Sequence, residues 1–413
     1  MRDVYIIGVG MTRFGKYLDR GIKDLAAEAL EETLEDAGIE KEAVEAAWFS
    51  NSAWGYFSEQ HCIRGQVALN PAGLKGIPVT NLENACAGGS NALHAAWTAV
   101  AAGLYDCALT LGAEKMYEED KMKAFQAFWI GMDRETTEEQ LALWRNLIEE
   151  LGSDDGQGNA GGAGETRSVF MDVYAGMARW HMNQYGTTQR QLAQIASKNH
   201  YHSSLNPLAQ YRKEFSVEQV LGDVPVVYPL TRTMCAPIGD GAAAVIICSK
   251  GFMGKLEEAR PVKVLASVLA TGDPDRHISE PSVARRASRT AYEKAGLGPE
   301  DIDLAEVHDA TAFGELVQTE ELGFCAAGEG GPFAESGATS LGGELPVNTS
   351  GGLESRGHPV GASGLAQVHE LVTQLRGEAG PRQVEGPRTA LAENGGGNIG
   401  FEEAAMGIHI LSK

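Results

Sequence analysis

Short apolar runs alternate with amphipathic or alanine-rich stretches along most of the chain. The apolar runs predict strands, and the stretches with apolar residues three and four apart predict helices. The predicted strands are Val4–Val9, Ile77–Leu82, Asp106–Gly112 and Asp240–Ile247, and the predicted helices are Ile22–Ala37, Ala92–Val100 and Val169–Tyr185. A second series of strands and helices begins at Val262. This alternation predicts an α/β fold with a layered core.

The chain also shows a weak internal repeat. Cys86–His94 and Gly361–His369 both open on small residues, begin a predicted buried helix and reach a histidine at the ninth position. The apolar residues 108–111 have a candidate counterpart at 408–411. These similarities predict two similar halves, residues 1–255 and residues 256–413. Residues 115–235 differ in character, with aromatic residues among charged ones and a glycine-rich loop at 156–164, and we expect this excursion to cap a site.

Composition narrows the choice of partners. A net charge of −22 argues against nucleic acid or an anionic membrane surface, so an anionic substrate would need a local cluster of Lys and Arg. The six cysteines have no metal-ligand spacing and form no Cys-x-x-Cys pair, which predicts neither a zinc site nor a redox dithiol. The N-terminus has no signal-peptide pattern and no apolar run has spanning length, so we expect a reduced, cytoplasmic protein.

The most informative chemical feature is a cysteine at the junction of a strand and a helix. Cys86 lies in the run Glu83–Ser90, directly before the helix predicted at Ala92–Val100. The free N–H groups and the positive dipole end of a helix favour a thiolate over a thiol, so we expect Cys86 to be ionised. A lone cysteine is more often a buried structural residue. The strand–turn–helix context favours a reactive thiol here.

Two histidines and a glycine cluster complete a set of motifs. His308 ends a short apolar strand, His358 lies in a glycine-lined loop before a helix, and Gly395 belongs to the late glycine cluster Glu393–Gly400. With Cys86 in this order along the chain, the motifs resemble those of the thiolase superfamily. The similarity is greatest to the sterol-carrier-protein-type and archaeal thiolases and extends over essentially the whole length.

This resemblance implies a fold and a chemistry. The fold would be the thiolase fold, with two similar halves, each a mixed sheet with layered helices. Cys86 would attack an acyl-CoA carbonyl, His358 would be its base, and His308 would donate to the thioester enolate oxygen. The backbone N–H groups of Cys86 and Gly395 would form a second oxyanion hole. CoA would be a co-substrate, with no bound cofactor and no metal.

The chain departs from the family at the second catalytic cysteine. Thiolases supply this thiol either in a C-terminal Cys-x-Gly motif or after His-Asp, and these positions hold Glu393 and Ala310 here. One hypothesis is that Glu393 replaces the thiol, since burial can raise a carboxyl pKa toward neutrality. The alternative is that Glu393 is structural and that CoA or a histidine handles the proton.

The substrate and the assembly rest on weaker signals. Phe125, Phe128 and Trp129 are candidates for a bulky or aromatic acyl pocket, although aromatic clusters more often belong to a core. The chain looks most like degradative thiolases that cleave a β-ketoacyl-CoA such as 2-benzoylsuccinyl-CoA. The resemblance also implies a homodimer and allows a small zinc-ribbon/OB-fold partner subunit. Two alternatives are a condensing enzyme or other acyltransferase that forms a carbon–carbon bond, and a non-catalytic subunit that binds acyl-CoA.

Overall fold

A single mixed sheet of nine strands forms the centre of the fold, in the order β3-β2-β4-β7-β1-β8-β11-β10-β9. The computed structural model describes residues 1–150 and 162–413, apart from the side chains of 148–150. A separate two-stranded ribbon pairs β5 with β6. The strands are β1 (Val4–Met11), β2 (Ala46–Ser50), β3 (Val79–Leu82), β4 (Cys107–Glu114), β5 (Pro225–Val227), β6 (Leu230–Thr231), β7 (Gly241–Ser249), β8 (Val262–Thr271), β9 (Leu304–Glu306), β10 (Thr389–Gly396) and β11 (Ala405–Ser412).

The pairing repeats across the middle of the sheet. On one side β2 runs parallel to β4, and β4, β7 and β1 pair antiparallel in turn. On the other side β9 runs parallel to β10, and β10, β11 and β8 pair antiparallel in turn. The antiparallel pair β1–β8 joins the two series. In this topology the counterpart of β4 is β10, so the predicted match between 108–111 and 408–411 is wrong. Residues 408–411 lie in β11, which corresponds to β7.

Helices cover both faces of this sheet. They are α1 (Ile22–Ala37), α2 (Trp54–Ser58), α3 (Arg64–Leu69), α4 (Gly88–Ala101), α5 (Lys121–Ala127), α6 (Thr137–Glu150), α7 (Val169–Tyr185), α8 (Gln189–Ser204), α9 (Val217–Leu221), α10 (Lys250–Met253), α11 (Val283–Ala295), α12 (Ala312–Glu321), α13 (Gly330–Glu335) and α14 (Ser363–Arg376). On one face, α4 and α14 pack with alternate residues of the central strands in one large core. On the opposite face, α1 and α11 each bury an apolar side against the strands. Strands buried on both faces explain the nearly continuous apolar runs in the sequence.

The long predicted helices have the bounds that the pattern indicated. The helices at Ile22–Ala37 and Val169–Tyr185 begin and end as predicted, because each has a regular apolar face and a left-handed glycine directly after it, Gly38 and Gly186. The predicted helix at Ala92 begins earlier, at Gly88, because the small residues after Cys86 are helical. None of the helices within the described ranges has the length and apolar character needed to cross a bilayer.

The excursion contributes α5–α9 and the β5–β6 ribbon. Helices α7 and α8 pack on α12 through a buried cluster that includes Tyr174, Leu192 and Phe313. Of the predicted glycine-rich loop, residues 156–161 lie outside the described residues. The division of the chain at residue 255 stays a prediction.

Candidate active site

Cys86, His308 and His358 converge at one point of the fold. The Cys86 sulfur and one ring nitrogen of each histidine lie within 4.8 Å of one another. The Nε2 atom of His358 is 3.2 Å from the Cys86 Sγ. The two imidazole rings stand nearly perpendicular, with centroids 5.3 Å apart. The sequence motifs therefore meet in space, although 272 positions separate Cys86 from His358.

Close backbone packing brings the cysteine and His358 together. Cys86 lies in a 3-10 turn that leads into α4, and His358 lies in the loop that leads into α14. A Cβ added at Gly364 would lie 2.7 Å from the Ser90 nitrogen, and one at Gly89 would lie 3.0 Å from the Leu365 nitrogen. Only glycines allow the first turns of α4 and α14 to approach this closely. The small residues at both helix starts thus fix the distance between nucleophile and base.

The hydrogen bonds around His358 define its tautomer. The Ser363 hydroxyl donates to the Pro359 carbonyl oxygen at 2.9 Å, and its Oγ lies 2.7 Å from Nδ1 of His358. Because the hydroxyl proton is already used, Oγ accepts from an Nδ1–H. The Nε2 atom that faces Cys86 is then unprotonated. Burial holds the pKa of His358 well below its ordinary value, so the ring is neutral and can accept the thiol proton.

His308 has the opposite arrangement. The Asn394 amide nitrogen lies 3.1 Å from Nδ1 of His308 and donates to it, which leaves the proton on Nε2. Burial lowers the pKa of His308 to about 4, so the ring is neutral at physiological pH. The backbone N–H of His308 donates to the Glu393 Oε2 at 2.7 Å. His308 can therefore offer an Nε2–H to a developing oxyanion, while His358 offers a lone pair.

The prediction that Cys86 rests as a thiolate is wrong for the free protein. Burial, together with the nearby carboxylates of Glu114 and Glu83, raises the pKa of Cys86 to about 12. The helix terminus is visible in the sequence, but the loss of water around the sulfur is not. The thiol must therefore lose its proton during attack, and the Nε2 atom of His358 is placed to receive it.

Backbone donors point at the same sulfur. The N–H groups of Cys86 and Gly397 are placed to hydrogen-bond to it and oppose the rise in the pKa of Cys86. Gly395, the donor expected from the family resemblance, also lines the cavity, whereas the contact of Gly397 was not predicted. Ala85, directly before the nucleophile, has a φ of 46°, which an alanine rarely adopts. This strained turn presents Cys86 beside the late glycine cluster.

A cavity of about 960 Å³ opens from this trio. Of the three aromatic candidates, Phe125 and Phe128 line it, whereas Trp129 is not among its described lining residues. The Trp129 ring instead lies 5.3 Å from the Arg134 guanidinium. Further aromatic residues line the cavity from the excursion, namely Tyr117, Phe170, Tyr174, Tyr211 and Phe215.

The cavity wall also carries a cluster of positive charges that the sequence did not reveal. The cations of this cluster are Lys16, Lys121, Arg167, Arg212, Lys213 and Arg232. They come from separate segments of a chain whose net charge is −22. Such a local cluster is what an anionic substrate needs in an acidic protein.

Glu393 does not line the cavity. Its side chain is fully buried, its Oε2 accepts from the His308 N–H, and it is not among the described residues that line the cavity. Burial raises the pKa of Glu393 to about 8. This location allows Glu393 to position His308 and argues against contact with substrate.

Comparison with known proteins identifies the family. The family described as "Thiolase, N-terminal domain" matches residues 4–228, and "Thiolase C-terminal domain-like" matches residues 274–412. The chain belongs to the thiolase family, and it is an acyltransferase that uses acyl-CoA. This finding goes against the alternative of a non-catalytic binding subunit.

Relatives of known name agree with this assignment. An acetyl-CoA acetyltransferase of Methanothermobacter thermautotrophicus is 40% identical, with all of both chains covered. Sterol carrier protein 2 of Bos taurus is 37% identical over 97% of this chain and 73% of its own length. The benzoylsuccinyl-CoA thiolase subunit BbsB of Thauera aromatica is 35% identical over 96% of this chain and 95% of its own.

Solved structures show the same fold. The structure titled "Ltp2-ChsH2(DUF35) aldolase" matches with a TM-score of 0.77 and 23% identity, over 99% of this chain and 97% of the other. Human mitochondrial 3-ketoacyl-CoA thiolase matches with a TM-score of 0.66 and 19% identity, over 100% of this chain and 99% of the other. The predicted thiolase fold and α/β class are thereby confirmed.

Proposed function

We propose that this protein cleaves a β-ketoacyl-CoA with CoA, through an acyl group carried on Cys86, and that the acyl group is bulky or aromatic. The observation that carries the proposal is the cavity itself, which joins the Cys86–His308–His358 trio to an aromatic wall. Substrates with a benzoyl group, such as 2-benzoylsuccinyl-CoA, fit this description. The direction is degradative.

The geometry supports a two-stage reaction. His358 takes the Cys86 proton through Nε2 as the sulfur attacks the keto carbon. The N–H groups of Cys86 and Gly397 stabilise the oxyanion that forms there. When the carbon–carbon bond breaks, the thioester fragment leaves as an enolate, and the Nε2–H of His308 stabilises its oxygen. CoA then attacks the acyl-cysteine and releases the second product.

The lining of the cavity supports the substrate class. Flat aromatic side chains stack favourably on aromatic groups, and Phe128 and Phe170 already form an edge-to-face pair at 6.4 Å. The cation cluster supports a CoA ester, because CoA carries several phosphate charges. The name of the Thauera aromatica relative, benzoylsuccinyl-CoA thiolase subunit, supports the same class.

The assembly is part of the proposal. We infer a homodimer that works with a small zinc-ribbon/OB-fold partner subunit. The support is that the Thauera aromatica relative is named as a subunit of its thiolase. Light scattering of the purified chain, alone and after co-expression with a candidate small subunit, tests both points. A monomer in both samples contradicts them.

The experiment for the function combines mass spectrometry with product analysis. The protein is incubated with acetyl-CoA, benzoyl-CoA or 2-benzoylsuccinyl-CoA, and intact mass identifies an acyl adduct that C86S does not form. We expect a benzoyl adduct from 2-benzoylsuccinyl-CoA, with release of succinyl-CoA, and discharge of that adduct by free CoA. Absence of any adduct from all three esters overturns the proposed function, and an acetyl adduct alone overturns the aromatic substrate class.

A further inference from the structure

The cleavage reaction needs a group that moves a proton at the α-carbon of the leaving thioester. Ala310 lines the cavity at one position where thiolases carry a second cysteine, and Glu393, at the other position, does not line it. The thiol and carboxyl groups among the described lining residues, other than Cys86, are Glu118, Asp223, Cys235, Glu354 and Glu403. We therefore consider these five groups as candidates for the acid and base at the α-carbon.

Glu403 combines access to the cavity with a close approach to Gly395. Its side chain is half-buried and lines the cavity, in contrast to the fully buried Glu393. A Cβ at Gly395 would lie 2.8 Å from the Glu403 Cγ, so the glutamate crosses the late glycine cluster where only glycine leaves room. Gly397 of the same cluster reaches the Cys86 sulfur. The Glu403 Cγ therefore lies against Gly395, which lines the cavity together with Cys86.

We propose that Glu403 is the catalytic acid and base for the α-carbon, in the place of the second thiolase cysteine. This assignment rests on the proposed function, because only carbon–carbon cleavage or formation needs the group. The hydrogen bond between Gln318 and Glu403 suits a carboxyl that changes its protonation state. The Gln318 Nε2 donates to the Glu403 Oε1 at 3.1 Å, while the buried Gln318 Oε1 has no protein partner. An amide rotated by half a turn would accept from the carboxylic acid instead.

The surroundings shift Glu403 toward the acid form. Burial raises the pKa of Glu403 above its ordinary value, and its own backbone N–H opposes this rise. A protonated carboxyl can donate to an enolate carbon, and the resulting carboxylate can accept a thiol proton. General acids work best when their pKa lies near the working pH.

The other acidic groups of the cavity have competing contacts. The Cys235 thiol donates to the Thr231 carbonyl oxygen at 3.4 Å. The Glu354 side chain is fully buried, and its Oε2 accepts from Asn199 at 3.1 Å. Asp223 is paired with Arg232, and Glu118 with Lys123. Cys235 is the strongest rival, because its backbone pairs with that of Thr311, beside Ala310.

With Glu403 in this role, every proton that is removed during the reaction is accounted for. Cys86 gives its proton to His358 and bonds to the keto carbon. The electron pair of the broken carbon–carbon bond takes the proton of the Glu403 carboxyl to form the new C–H bond. The Glu403 carboxylate then removes the proton of the CoA thiol, whose sulfur attacks the acyl-cysteine. Cys86 leaves and recovers its proton from His358, so every group returns to its starting state.

The experiment separates the α-carbon step from acyl transfer. Acetyl-CoA and succinyl-CoA are incubated in D₂O, and NMR follows exchange of the α-protons, which needs the acid and base. In parallel, intact mass follows acylation of Cys86 from benzoyl-CoA, which has no α-proton. We expect E403Q to lose exchange by at least about 100-fold while it still acylates Cys86, because general acid–base groups contribute about 10²–10⁴-fold. Failure of the wild type to acylate Cys86 counts against the proposed function instead.

Three further variants sharpen the result. C235S is compared with E403Q, and loss of exchange in C235S with retention in E403Q overturns the assignment. In E403A, added formate is expected to restore exchange, because a small carboxylic acid can enter the space of the lost side chain. E403D, which keeps the carboxyl, is expected to retain more exchange than E403Q. Lack of formate rescue together with equal loss in E403D and E403Q overturns the catalytic role in favour of a structural one.

Discussion

The Ser363 Oγ lies 2.7 Å from Nδ1 of His358, and the same hydroxyl donates to the Pro359 carbonyl oxygen. Ser363 is the first residue of α14, so the start of the helix fixes the proton position on the catalytic imidazole. A base that faces a thiol must present a lone pair, and this contact ensures that it does. Ser363 is thus a positioning residue for the Cys86–His358 pair.

We expect S363A to slow acylation of Cys86 by about tenfold or more. The variant leaves the imidazole in place but no longer fixes its tautomer, so the effect should stay below the roughly 10²–10⁴-fold contribution of a general base. Stopped-flow acylation with benzoyl-CoA, measured across pH, gives the rate. S204A is the matched control, since Ser204 makes the same kind of hydroxyl-to-carbonyl bond, to Tyr201, at a half-buried position outside the cavity lining. Equal rates in S363A and wild type would refute the positioning role.

The raised pKa of Cys86 predicts how its alkylation depends on pH. With a pKa of about 12, the free thiol is almost entirely protonated at neutral pH, and the thiolate fraction grows about tenfold per pH unit. We expect the rate of Cys86 alkylation by iodoacetamide to rise continuously from pH 7 to pH 10 without a plateau. Peptide mass spectrometry measures the rate, and the exposed Cys62 in the same sample reports the reactivity of the reagent. A plateau below pH 8 would show that the thiolate is the resting form.

The cation cluster predicts a selective effect on CoA binding. Arg212 and Lys213 are both exposed and line the cavity, so they can meet the phosphates of CoA. Each exposed charge pair contributes up to about 1 kcal/mol, so R212A/K213A should raise the KM for CoA about five- to twentyfold with little change in kcat. The effect should shrink as salt is added. K75A removes an exposed lysine that is not among the cavity lining and serves as the control. A fall in kcat at unchanged KM would contradict this interpretation.

The sequence predicted the features that depend on residues close to one another in the chain. The helix at Ile22–Ala37 could be bounded because Leu25, Ala29 and related positions form one apolar face. Cys86, His308 and His358 could be named because each lies in a short motif of small residues, and the structure brings them together. These features need only neighbours in the chain.

The rest depends on which distant segments meet. Nothing near Glu403 in the sequence shows that its side chain lies across Gly395, and Glu393 looked more suitable because it holds the position of the cysteine in the family's C-terminal Cys-x-Gly motif. The prediction that Cys86 is ionised was wrong because the desolvation of its sulfur depends on the folded surroundings. The Gly397 and Asn394 contacts were missed for the same reason, although both residues lie in a cluster that the sequence had already singled out.

The contact between the starts of α4 and α14 gives a final prediction. A Cβ at Gly364 would lie 2.4 Å from the Asn394 Oδ1, 2.5 Å from the Ser90 Oγ and 2.7 Å from the Ser90 nitrogen, so G364A must displace both the start of α4 and the Asn394 amide. We expect a loss of about 1–3 kcal/mol in the free energy of unfolding. Because Ser90 belongs to the helix that follows Cys86, the Sγ–Nε2 distance should also grow. A misplacement of about 1 Å costs about 100-fold in rate, so acylation of Cys86 should fall more than stability alone explains.

Urea unfolding and the acylation rate of the folded fraction are measured on the same G364A sample. The matched control is G251A in α10, where an added Cβ would meet nothing closer than the Ser249 Oγ at 3.9 Å. G251A should change neither quantity appreciably. If G364A is destabilised but acylates Cys86 at the wild-type rate, then the helix contact supports the fold without setting the distance between nucleophile and base. If G364A is neither destabilised nor slowed, the close approach of the two helices is itself contradicted.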